Sequence, residues 1–252
     1  MTRSRKFIFT LAAATIVLAV ASLSAPDATA HLRRGVFEPG VVPIQINSNG
    51  TSYGDWAAAW WQWAFALPVT GHPLFDETGA NCGAGQSGPV WFLGGVFNVS
   101  GTAVRTECKV PSGKALFFPI LNVECANVEA AGDTTVDLRK CAGDIADTAA
   151  DLSLEVDGVS VRSLERFRTL SPAFGFVLPD DNLLQAFGLI APKGSCFTPE
   201  GSTLCEPYLA SGDGHYVMLS PLSDGAHTIR IRGSFPTFGF SLDVTYHLTV
   251  GA

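Results

Sequence analysis

Alternation of apolar and polar positions dominates the second half of the chain. Leu152-Ser-Leu-Glu-Val156 alternates, Asp157-Gly158 supplies a tight turn, and Val159-Ser-Val161 returns. The same grammar recurs in Tyr216–Leu219, in His227–Arg232 after a Pro and Asp-Gly rich connection, and in Phe240–Val250. Earlier, Val90–Leu93, Ala103–Val110 and Ala115–Val123 are rich in β-branched and aromatic residues and are punctuated by Pro or Gly, so each predicts a strand. Two segments break this period. Tyr53–Leu67 follows a capped start and stops at Pro68; Tyr53, Trp56, Trp60, Trp63 and Leu67 form one helical stripe, and Trp61 and Phe65 a second. Thr134–Asp151 places Leu138, Cys141, Ile145 and Leu152 on one stripe with acidic residues elsewhere, which predicts an amphipathic helix weakened by Gly143.

Many short strands joined by Asp-Gly and Pro turns predict a mainly β fold. We expect an antiparallel β-sandwich, immunoglobulin-like or jelly-roll-like, with one Trp-rich helix and one further amphipathic helix. Segment 173–211 is turn-rich and reads as an elaborated loop. A helix that is apolar all round is normally buried on both sides; exposed as an aromatic platform, its second stripe would instead suit a sugar.

The first 30 residues change the picture. Met1-Thr-Arg-Ser-Arg-Lys6 is basic, Phe7 to Leu23 is apolar, and Ala28-Thr-Ala30 offers small residues before a cut. That order is read as a secretory signal peptide, residues 1–30, leaving 31–252 as a single secreted domain in the periplasm or outside the cell. Turn-forming Ser24-Ala-Pro-Asp27 in place of a basic stop-transfer cluster argues against a stable membrane span. Removal of three basic residues and one acidic residue takes the net charge from -7 to -9. Such an acidic chain does not suit nucleic acid.

All six cysteines, Cys82, Cys108, Cys125, Cys141, Cys196 and Cys205, follow the cut. In an oxidising compartment an even count predicts disulfides. Fifteen connectivities are possible; short separations and neighbouring elements favour Cys82 with Cys108, Cys125 with Cys141, and Cys196 with Cys205. No Cys pair has the C-x-x-C spacing of a zinc site.

Tyr53-Gly-Asp-Trp-Ala-Ala-Ala-Trp-Trp-Gln-Trp63, Gly85-Gln-Ser-Gly-Pro-Val-Trp-Phe-Leu-Gly94, Pro111-Ser-Gly-Lys-Ala-Leu-Phe-Phe-Pro119 and Ser220-Pro-Leu-Ser-Asp-Gly-Ala-His-Thr-Ile229 together resemble a group of secreted microbial proteins with a Trp-rich helix and a C-terminal immunoglobulin-like β region. The resemblance implies a location and a domain extent, and no mechanism.

Candidate chemistry is sparse, and we expect a non-enzymatic extracellular or cell-surface protein that binds a ligand or serves a structural role. As a carbohydrate-binding module it would use exposed Trp60, Trp61 and Trp91 against a polysaccharide. As a copper enzyme it would start a histidine brace at His31, the residue after the cut, with His72 and His215 as further ligands. The single starting residue is similar to lytic polysaccharide monooxygenases. Asp76, Glu77 and Asn81 gather hard oxygen donors suited to calcium, without EF-hand spacing. Ser87 lacks the flanking residues of a serine nucleophile. Among the carboxylates, Glu124 beside Cys125 and Asp243 in the last strand stand out by their apolar neighbours.

Overall fold

The computed structural model describes residues 40–129 and 134–251. Residues 1–30, expected to be a signal peptide, and His31 lie outside the described residues. Helix α1 spans Tyr53–Phe65, and its N-cap Ser52 accepts the Asp55 N–H. In chain order there follow β1 (Val90–Phe92), β2 (Thr102–Arg105), β3 (Lys109–Val110) and β4 (Ala115–Ala126). Helix α2 (Thr135–Ala146) precedes β5 (Ala150–Val156), β6 (Val159–Ser160), β7 (Arg168–Leu170) and β8 (Phe174–Gly175). Helix α3 (Leu183–Ala186), β9 (Cys196–Phe197), β10 (Glu206–Pro207), β11 (Leu209–Leu219), β12 (Gly225–Phe235) and β13 (Phe240–Val250) complete the order.

The fold is mainly β, as the alternation predicts. One sheet runs β1-β4-β11-β7 with β8 also on β11, and another runs β2-β13-β12-β5-β6 with β3 also on β13. Their long strands are antiparallel, but the short edge strands β1, β2 and β3 pair parallel. These strands arrive by irregular crossovers, not hairpins, so turn grammar did not reveal their direction. The sheets meet where Leu121 of β4 packs on Gly233 of β12. The Asp157-Gly158 turn is present, with positive φ at both residues. Segment 173–211 holds α3 and a β9–β10 ribbon.

The Trp helix is core. Trp60 is 2% exposed, and its Nε1 donates to the Leu93 carbonyl at 2.7 Å. Tyr53 joins α1 to two further segments: its hydroxyl donates to the Val42 carbonyl at 2.5 Å and accepts from Met218 N–H. The disulfides are Cys82–Cys108, Cys125–Cys141 and Cys196–Cys205, the pairing that short separation favoured. Cys125–Cys141 fastens α2 to the end of β4.

Arg105 at the end of β2 is buried without a carboxylate partner among the described residues. All five of its N–H donors are used. They bond the carbonyls of Pro73, Asp76, Gly94 and Gly95 and the hydroxyl of Tyr246, whose ring centroid lies 5.0 Å from the guanidinium. One side chain thus holds the 73–79 loop, the chain leaving β1 and strand β13. We expect Arg105→Met to lower unfolding free energy by about 3 to 5 kcal/mol, because it deprives buried acceptors of a charged donor. Arg105→Lys should recover only part of this loss, having three donors in place of five. Urea unfolding checks both; wild-type stability in Arg105→Met would refute the role.

Candidate functional site

The most developed cleft lies between the two sheets and helices α1, α2 and α3. Its volume is ≈ 480 Å³. Trp61 and Asn122 form its floor with Glu124; Phe97, Leu183, Leu184, Phe187, Phe235, Phe238 and Phe240 make apolar walls. Ile145 of α2 and Glu129 close one end. The volume and the ratio of apolar to polar lining residues match those of small-molecule sites.

Local backbone features create this space. The β4–β11 register skips one residue on β4: His215 pairs with Leu121, but Tyr216 pairs with Pro119, leaving Ile120 extra. This bulge switches the parity of β4. Phe117 stacks on Tyr216 before the bulge, whereas Asn122 and Glu124 point to the same side after it. Opposite Glu124 and Asn122 stand Gly212 and Gly214. A Cβ on Gly212 would sit 2.5 Å from Trp61 Nε1, so only glycine lets the indole reach the floor. There Trp61 Nε1 and Asn122 Nδ2 both donate to the Tyr216 hydroxyl, at 3.1 and 3.2 Å.

Glu124 is the unusual group. Its Oε2 is out of reach of solvent and has no hydrogen-bond partner among the described residues. Burial raises its carboxyl well above the ordinary carboxylate range, and the nearby Glu129 charge raises it further. Burial also raises Glu129, against the opposing effect of the Ala126 N–H that bonds its Oε2 at 2.8 Å. Both carboxyls are therefore pushed the same way. A catalytic pair normally needs one acid and one base with pKa values moved apart.

The residues singled out from sequence fare differently. Trp60, Trp61 and Trp91 are 2%, 5% and 9% exposed, so they do not form the open sugar platform; they pack the core, and only Trp61 reaches the cleft. His72 is buried with both nitrogens occupied, Nε2 on the Ala64 carbonyl and Nδ1 accepting the Leu74 N–H. It has no nitrogen free for copper. His215 lies inside β11, not at a strand start, and its buried Nδ1 is unpartnered. Burial lowers its imidazole, and Arg168 lowers it further. No group of three His, Cys, Asp or Glu among the described residues is arranged to hold a metal. Of the calcium candidates, Asp76 accepts from the Thr78 and Asn81 N–H groups, and Glu77 accepts from Asn98. Asp243 pairs with Arg230 at the surface, and Ser87 is exposed in a loop.

Distant residues also assemble a Ser–His–Asp constellation that spacing did not reveal. His227 Nδ1 lies 2.7 Å from Asp157 Oδ2, and its Nε2 lies 3.3 Å from Ser223 Oγ. The same Nε2 is closer, at 2.8 Å, to the Ser223 carbonyl. That carbonyl can only accept, so Nε2 carries a proton and has no lone pair with which to activate Ser223. The arrangement is a two-ended imidazolium clamp on the β12 hairpin.

Comparison with protein families, curated proteins and solved structures returned no match. The chemistry of the cleft therefore has to carry the functional argument.

The clamp has a pH signature. Burial would lower His227, but the Asp157 bond and the Ser223 carbonyl outweigh it and raise the imidazole above 6.5. Burial would raise Asp157, but His227 and the Thr228 N–H outweigh it and hold the carboxyl below 3.8. The raised histidine stabilises fully below its unfolded value and loses that contribution as pH rises through its folded value. The depressed aspartate contributes above its unfolded value and loses this as pH falls through its folded value. The stability difference between wild type and Asp157→Asn should thus be larger at pH 5.5 than at pH 8.5 in urea unfolding. A difference independent of pH would rule out the clamp.

Proposed function

We propose that this chain is an exported, non-enzymatic binding domain that takes up a small, largely apolar molecule in the cleft over Trp61. The apolar, concave ≈ 480 Å³ space with an orphaned carboxyl at its floor is the observation that carries this reading. Phe187 and Phe238 at the rim are 54% and 58% exposed, which is costly for a surface with nothing to cover it. Export is supported by the basic, apolar and small-residue order of the first 30 residues together with the three disulfides. No described helix is long and apolar enough to cross a membrane. Binding is favoured over catalysis because the two cleft carboxyls move together and the Ser223 constellation lacks a free base.

The neutral fluorophore N-phenyl-1-naphthylamine tests this reading. At about 0.3 kcal/mol per heavy atom it should bind with a Kd of about 200 µM or tighter, with a blue-shifted emission. Phe238→Asp and Phe187→Asp alter exposed rim positions and should leave stability within about 0.5 kcal/mol. Each should weaken the fluorophore at least tenfold. Unchanged affinity in both variants would overturn the assignment of the cleft.

A further inference from the structure

We propose that the cleft selects a protonated amine, with Glu124 and Glu129 holding the ammonium head and the aromatic walls holding an apolar tail. This inference rests on the cleft being a ligand site and adds the chemistry of what it takes. The first support is the unpartnered Glu124 Oε2. A buried acceptor without a partner is uncommon, because leaving it unpaired costs stability that an apolar residue there would recover. Glu124 lines the cleft, and among the described residues nothing donates to this oxygen, so a ligand donor would supply the missing partner.

The second support is charge complementarity. Among the described residues the cleft lining contains two carboxyl groups and no Lys, Arg or His. The ionisable groups facing Glu124 are Glu129 from the turn after β4 and, across Asn122, the Tyr216 hydroxyl of β11. The residues that α1, α2, α3 and the β12–β13 hairpin turn toward it, Trp61, Ile145, Leu184 and Phe235 among them, carry no charge. An anionic ligand would meet only repulsion. A neutral donor would satisfy one oxygen but could not stabilise the ionised form of the pair. A primary ammonium supplies three donors and a positive charge, enough to serve both carboxylates.

Capture then follows a balanced exchange. The protonated Glu124 carboxyl gives its proton to solvent, and the carboxylate formed pairs with the incoming R–NH3+, which keeps all of its own protons. Binding therefore releases up to one proton, and acid competes with the amine. Burial of the free carboxyl, which favours its protonated form, is consistent with this exchange.

The test compares 1-naphthylmethylamine with 1-naphthalenemethanol, two probes of the same size and shape, by isothermal titration in phosphate and in Tris at pH 7. The amine should bind at least tenfold more tightly, and the buffer dependence of its heat should report release of up to one proton. Its affinity should fall by up to tenfold per unit as pH is lowered from 7 to 5, while the alcohol is unaffected. Glu124→Gln, which replaces the acid with a neutral side chain of the same shape, should abolish both the preference and the proton release and retain alcohol binding. Glu129→Gln should reduce the preference. If the alcohol binds as well as the amine, or no proton is released, the amine inference falls and the cleft assignment stands. If neither probe nor the neutral fluorophore binds, both fall together.

Discussion

The molecule depends on a buried cation that no anion among the described residues neutralises. Arg105 is stable in the interior only because five separate oxygen atoms, four of them backbone carbonyls, are brought to its five N–H groups. That requirement is mutual. The carbonyls of Pro73, Asp76, Gly94 and Gly95 belong to irregular backbone that no strand or helix would otherwise satisfy, so the guanidinium does for this region what a sheet ladder does elsewhere. Gly79 permits the loop to close over it, since a Cβ there would lie 2.9 Å from Arg105 Cβ and its φ is +87°. Tyr246 completes the arrangement, both accepting from Arg105 and donating to Gly94. Because β2 lies in one sheet and Gly94 follows β1 of the other, the network registers the two sheets against each other.

That registration determines the cleft. Phe97 lies just beyond the Arg105 contacts, and it faces Phe187 at 5.0 Å between ring centroids. Phe235, Phe238 and Phe240 come from the hairpin that joins β12 to β13, the strand carrying Tyr246. The floor depends on the bulge at Ile120 and on two glycines, and the far wall on α2, which Cys125–Cys141 ties to the residue following Glu124. A binding surface assembled from six sequence segments keeps its shape only if they are held, and the Arg105 network, the β4 bulge and the Cys125–Cys141 bond hold several of them.

What was legible in the sequence was what depends on neighbours. The α1 stripes, the Asp157-Gly158 turn, the long alternating strands and the three cysteine pairs all involve short separations, where period and turn chemistry decide the outcome. Glu124 was also visible, as a carboxylate with apolar neighbours. Its partner Glu129 was not, because their proximity depends on the turn after β4. The function of Arg105 was hidden for a similar reason: nothing local in Ala103–Val110 marks it, and the register of β2 on β13 sets it beside Tyr246. The Ser223, His227 and Asp157 meeting spans 70 residues between its His and Asp and leaves no local trace. One signal was available and unused. Glycine at 212 and 214, inside a strand, marks close approach of another group: the indole of Trp61 at 212, and the β4 chain at Leu121 and Asn122 at 214.

The two buried charged groups therefore play opposite parts. Arg105 has every donor satisfied within the protein, so its burial contributes to a unique arrangement of loops and sheets. Glu124 has an acceptor that the protein leaves open, beside a second carboxyl that makes ionisation harder still. If both had been selected for stability alone, the second would have been removed, since an apolar side chain at position 124 relieves the cost at once. A protein that completes one polar network to the last donor and leaves another incomplete has set its unsatisfied group beside the space that an outside partner would enter.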